Sequence, residues 1–187
     1  MQDPAFIKEM IAKAELAVQK VKEEFEALDL QQLNWKPDEH TWSIGQCLDH
    51  IITADTLYFP ELKQIADGTY RMSFWQKYNP MSGLFGRMLV SQIQEVPRKK
   101  YVAPKVFTPQ SGSVDAVVRE RFYKHMDTLM EYMASFRRAD ADKVHITSPA
   151  ARMVTYSLRN GLKLILQHAH RHINQGIRVK QHKDFPV

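Results

Sequence analysis

The sequence predicts an all-α protein: a four-helix bundle with a long connection between its second and third helices. Three observations carry this prediction. Four long segments repeat apolar side chains at helical spacing. No stretch of useful length alternates apolar and polar residues as a half-buried strand does. Prolines and glycines break the pattern between the second and third segments, over residues 68–112.

The first helix spans residues 4–28, with Ile7, Met10, Ala14, Ala17, Val21, Phe25 and Leu28 on one face. Pro4 suits its first turn, where a missing N–H costs nothing. Residues 34–40, with Pro37 and Asp38, form a connector. The second helix opens at Ser43, and Gln46 three residues on completes a capping box. Trp42, just before the cap, supplies half of a hydrophobic staple. The stripe Ile44, Leu48, Ile51, Ile52, Tyr58, Phe59 and Leu62 runs to about Ile65, and Gly68 is the stop.

In the connection, Pro80, Pro97, Pro104, Pro109, Gly83 and Gly86 leave room for one short helix, Leu84 to Ile93. So long a stretch without a core of its own reads as a lid or binding loop over one end of the bundle. The third helix runs from Ser113, as cap, to Arg137 or Arg138, with Val114, Val118, Phe122, Leu129, Met133 and Phe136 inward. A polar connector with Asp140, Asp142 and Pro149 leads to the fourth helix, Thr155 to Gln181. Its apolar side holds Leu158, Leu162, Ile165, Ala169, Ile173 and Gly176. There is no internal repeat, and residues 1–187 read as one domain.

Composition excludes several functions. No apolar run approaches the roughly 20 residues of a membrane span. Met1-Gln2-Asp3-Pro4 lacks the basic and apolar regions of a secretory signal. Cys47 is the single cysteine, so no internal disulfide forms, and a reducing, cytoplasmic setting is expected. The net charge of +5 reads as a slightly basic surface. Its densest run, Arg98-Lys99-Lys100, is short and lacks interleaved aromatics, so nucleic acid is not an expected partner.

The histidines carry the chemistry. His168 and His172 stand at i and i+4 on the fourth helix, one turn apart on one side. His172 falls inside the apolar stripe and His168 at its edge. A buried imidazole needs a partner, and one divalent ion satisfies two rings at once. Neutral imidazoles suit zinc, nickel, copper or iron. By itself the pair is also compatible with helix packing or a surface role. His50 lies at the margin of the second helix's stripe beside the small Ala54; it is either a core-edge histidine bonded to a carbonyl or, if those helices are neighbours, a third ring facing the pair. Three protein ligands leave positions for water or substrate, as catalytic sites do.

Trp42-Ser43-Ile44-Gly45-Gln46-Cys47-Leu48-Asp49-His50 resembles the W-S-x-x-(E/Q)-x-(L/I)-x-H signature of the DinB-like superfamily. Residues His168 to Gln175 resemble that family's H-x-x-x-H-x-x-Q segment. The resemblance covers about residues 5–180 and implies a four-helix bundle with a long connection. It also implies that His50, His168 and His172 bind a divalent metal, zinc or nickel. Related branches transfer groups to low-molecular-weight thiols such as bacillithiol, mycothiol or glutathione. Here Ile173-Asn174-Gln175 follows the last histidine where the family often has Arg-Gly-Gln, which keeps the ligand set and leaves the branch open.

Further residues have two readings each. Arg121 and His125 fall near the centre of the third helix's stripe. Either Arg121 holds a substrate carboxylate with His125 as a proton shuttle or support, or Arg121 pairs with a carboxylate such as Asp55. Asp55 could also orient a metal-bound histidine. Cys47 is either a fourth ligand or a small buried hydrophobe. His40, His145, His170 and His182 read as solvent-facing, and the tryptophans and methionines as packing.

The expectation is a divalent-metal-dependent enzyme on a small molecule, a thiol S-transferase by resemblance, or a hydrolase using metal-activated water. The alternative is a non-catalytic, stress-related metal-binding bundle; a homodimer using an exposed helix face is a third reading.

Overall fold

Capping chemistry sets most of the helix starts. The computed structural model describes residues 3–84, 88, 112–136 and 139–186. In α1 (Pro4–Phe25) the Asp3 carboxylate accepts from the Phe6 amide, with Pro4 in the first turn. A capping box of Asp29 and Gln32 starts the short α2 (Leu30–Asn34). The expected box starts α3 (Ile44–Thr56), where Gln46 N donates to Ser43 Oγ and Ser43 N to Gln46 Oε1, both at 3.1 Å. After α4 (Phe59–Ala66), Ser73 and Gln76 repeat the device at α5 (Phe74–Tyr78). Five residues are too few to show a stripe, so α2 and α5 escape periodicity.

Two helices stand where the stripe predicts one. α3 stops at Thr56, and α4 begins beyond a turn at Leu57 and Tyr58. Pro60 is the physical reason: it has no N–H for the Thr56 carbonyl, so a continuous helix would lose a bond and gain a clash. The third long helix, α6 (Val118–Ser135), also starts later than Ser113. Asn34 holds the Val114 backbone at both ends, Oδ1 accepting from Val114 N and Nδ2 donating to Val114 O, and this keeps that stretch out of the helix. Most of the expected Leu84–Ile93 helix, the Arg98–Lys100 run, and Arg137 and Arg138 lie outside the described residues.

The fold is all-α in class, as the sequence predicts, with one small antiparallel hairpin that the sequence does not announce. β1 (His145–Ser148) pairs with β2 (Ala151–Ser157) around a turn at Pro149 and Ala150, with a register shift between Thr147 and Ser148. β1 buries alternate residues but is only four long, and in β2 Thr155 and Tyr156 are both buried, so neither shows a readable alternation. β2 runs into α7 (Leu158–Lys180), capped by Ser157 rather than starting at Thr155. Gln76 Nε2 pins the hairpin to α4 and α5 by donating to Glu61, Tyr70 and Thr147.

The long helices form a ring in the order α1, α7, α3 (with α4), α6. α1 and α7 are parallel, tied by Arg159–Asp3 at one end and Lys180–Glu24 at the other. α3 runs antiparallel to α7, bringing Ile44 near Gly176 and Asp55 near His168. α6 runs parallel to α3, with Arg121 at Asp49 and His125 at Asp55. Neighbours that run parallel need a chain that returns the length of the bundle, which is why the connection between α3 and α6 is long. Phe25, Ile44, Leu48, Ile51, Phe122, Met126, Leu129 and Leu162 fill the centre. Among the described residues no helix is long and apolar enough to cross a membrane.

Candidate metal centre

The α3–α7 contact brings three histidines together. His50 comes from the second turn of α3, and His168 and His172 from consecutive turns of α7. One nitrogen from each ring lies within 4.8 Å of the others, and the Nε2 atoms of His50 and His168 are 3.0 Å apart. The rings meet edge-on, with centroids 4.4–4.9 Å apart. His50 and His172 are buried, while the His168 side chain keeps 21% of its surface, so the cluster opens on that ring's side.

Neighbouring groups fix the rings. Gln175 Oε1 can only accept, so His172 Nδ1, 3.0 Å away, carries the proton and Nε2 keeps its lone pair. Burial, with His168 and His50 alongside, pushes the His172 imidazolium down to about 2, so this ring is neutral at physiological pH. Trp42 covers the pair from the start of α3, its ring centroid 4.7 Å from that of His50 and 5.5 Å from that of His172. Beyond the staple expected of this residue, its indole makes ring contact with two of the three histidines. A tryptophan one residue before the cap reaches the second turn, and its periodicity alone does not show this.

Asp55 lies behind the cluster, with Oδ1 3.8 Å from His168 Nδ1 and Oδ2 3.7 Å from His125 Nε2. Burial raises its carboxyl, but His125 and His168 outweigh burial and hold it below the ordinary value. His125 is buried on α6, stacked on Phe59 at 4.7 Å and 7°.

Arg121 is elsewhere. Its side chain is 45% exposed and pairs with Asp49 at 3.4 Å and Asp115 at 3.2 Å, not with Asp55. The buried face of α6 runs through Val118, Phe122, His125, Met126, Leu129 and Met133, which leaves Arg121 on the flank. Cys47 is buried outside the cluster, and burial pushes its thiol up to about 12, so it behaves as a small core residue. His40 is exposed as expected, and His182 packs on Trp35. His170 bonds the Lys13 carbonyl. His145 departs from its reading: it lies in β1, with Nδ1 buried.

The donor set fits a divalent ion. Two ligands on one tetrahedral zinc stand about 3.3 Å apart, given Zn–N bonds of roughly 2.0–2.1 Å. The His50–His168 separation of 3.0 Å is close to that span. Three imidazoles, one held neutral and one with its second nitrogen turned to a carboxylate, match the chemistry of a metal site. A family model for the DinB superfamily matches residues 14–175. The comparisons find no curated protein and no solved structure with a significant match. The chain belongs to the DinB superfamily.

Proposed function

We propose that the protein is a divalent-metal-dependent enzyme acting on a small molecule, with His50, His168 and His172 as ligands of zinc or nickel. The observation that carries this reading is the convergence of three imidazole nitrogens within 4.8 Å, on a cluster open beside His168. Three protein ligands leave a coordination position for substrate, which a closed structural site does not. A bound ion would supply Lewis-acid chemistry, lowering the pKa of a thiol or water held there.

The chain's own residues do the rest. Gln175 fixes the His172 tautomer, and Trp42 shields His50 and His172 on one side. Family likeness favours a low-molecular-weight thiol as the nucleophile and S-transfer as the reaction, with hydrolysis as the near variant. The test is loss of small electrophiles in the presence of a thiol panel, with and without a chelator. Thiol-dependent turnover that the chelator stops and zinc or nickel restores supports the enzyme.

One observation favours a second reading. His50 and His172 are both buried between α3 and α7, so an ion there also fastens the two helices. A protein whose melting temperature collapses on chelation, and which turns over no electrophile, is a non-catalytic metal-stabilised bundle.

A further inference from the structure

One buried carboxylate beside the triad has no role in the chemistry above. Asp55 is 1% exposed and sits between two imidazoles, His168 on α7 and His125 on α6. Asp55 Oδ2 and His125 Nε2 have no hydrogen-bond partner among the described residues. A buried carboxylate without a donor is among the costliest polar groups to keep in a core. The gaps of 3.8 and 3.7 Å are each about 1 Å beyond hydrogen-bond length, so a small carboxylate shift closes either.

The orientation of His168 says what such contact does. Its Nε2 faces His50 at 3.0 Å, so with an ion held between these two nitrogens Nδ1 is the one left to carry the proton, and Asp55 Oδ1 faces it. His172 has the same arrangement with Gln175 as acceptor. On the other side, His125 is held flat against Phe59 and turned to Oδ2. We propose that Asp55 is a positioning residue for the metal: it accepts the Nδ1 proton of His168 and so aims that ring's Nε2 lone pair at the ion, while His125 steadies the carboxylate. This rests on the metal reading. It makes α6, which supplies no ligand, part of the centre through the chain His168–Asp55–His125.

The test is zinc affinity by chelator competition on untagged protein, for the parent chain, Asp55→Leu, Asp55→Asn and His125→Phe. Asp55→Leu should bind zinc about 10–100-fold more weakly, the usual cost of losing such a partner. Its metal-free melting temperature should fall, because His125 and His168 lose the carboxylate they face, so zinc affinity is compared on protein shown to be folded. Asp55→Asn should lose less, since the amide oxygen still accepts, and His125→Phe, which keeps the stack, less again. Histidine ¹⁵N NMR of the zinc-loaded parent should show His168 protonated at Nδ1 and bound through Nε2. That measurement also decides the matter if Asp55→Leu does not fold. Binding through Nδ1, or a folded Asp55→Leu with zinc affinity within about twofold of the parent, overturns the assignment alone. A parent chain that binds no zinc or nickel overturns the metal reading as well.

Discussion

The Trp42 indole stacks on the His172 imidazole, with centroids 5.5 Å apart and planes 23° apart, and it also lies 4.7 Å from the His50 ring. A residue fixed by its place before a helix cap thus becomes one wall of the histidine cluster. Trp35 packs instead with His182 and Phe185, and Trp75 donates to the Met153 carbonyl, so only one indole reports on the site.

Nickel, which quenches nearby fluorophores, should therefore remove part of the tryptophan emission on titration. Trp42→Phe should lose that component while Trp35 and Trp75 still emit. Equal quenching in the variant would place the ion away from Trp42.

Metal removal should lower stability. A ligand at about 100 times its dissociation constant stabilises the folded state by about 2.7 kcal/mol. Scanning calorimetry with excess zinc should therefore raise the melting temperature by several degrees, and a chelator should reverse the rise. His50→Ala should show no zinc-dependent shift; a shift of parental size in that variant would assign the stabilising ion to another site.

Cys47 should be silent to thiol reagents in the native protein. Its thiol is buried and pushed up to about 12 by that burial, against about 8.5 for a free thiol. DTNB should release no colour at pH 8 until guanidinium is added, and then one equivalent. The sign of the pH effect follows: a raised folded pKa leaves this stabilisation intact below about 8.5, and it is lost as pH rises toward 12. Rapid native labelling would show that α3 is not seated as described.

Gly45 holds the entry of α3 close to the chain. A Cβ there would run into Val114 Cγ2 and meet the Leu33 carbonyl oxygen at 3.1 Å, and the backbone oxygen cannot swing aside. Gly45→Ala should destabilise by about 1–3 kcal/mol from overpacking, against the roughly 1 kcal/mol that alanine gains within a helix. Denaturant melts read the balance, and a more stable variant would mean that Val114 moves freely.

The bundle and the triad were legible because each rests on short-range signals. Ser43 and Gln46 announce α3, and the i, i+4 spacing of His168 and His172 survives any error in helix ends. The hairpin hid because β1 is four residues long and β2 ends inside the predicted helix start at Thr155. Pro60 split α3 from α4 although the apolar stripe continues across it. Arg121 was misplaced because a helical stripe has edges: three residues from Val118 and four from His125, it sits on the flank facing Asp49. The Asp55–His125 approach is a contact between helices, and periodicity within one helix does not reveal it.

The central claim is that three imidazoles from α3 and α7 hold one divalent ion. The most direct test is elemental analysis of untagged protein beside a His50→Ala/His172→Ala variant, both purified without added metal and then loaded with zinc or nickel. The account predicts about one ion per parent chain and essentially none in a folded double variant. A parent chain that holds no metal after loading, or a double variant that holds as much, would contradict it.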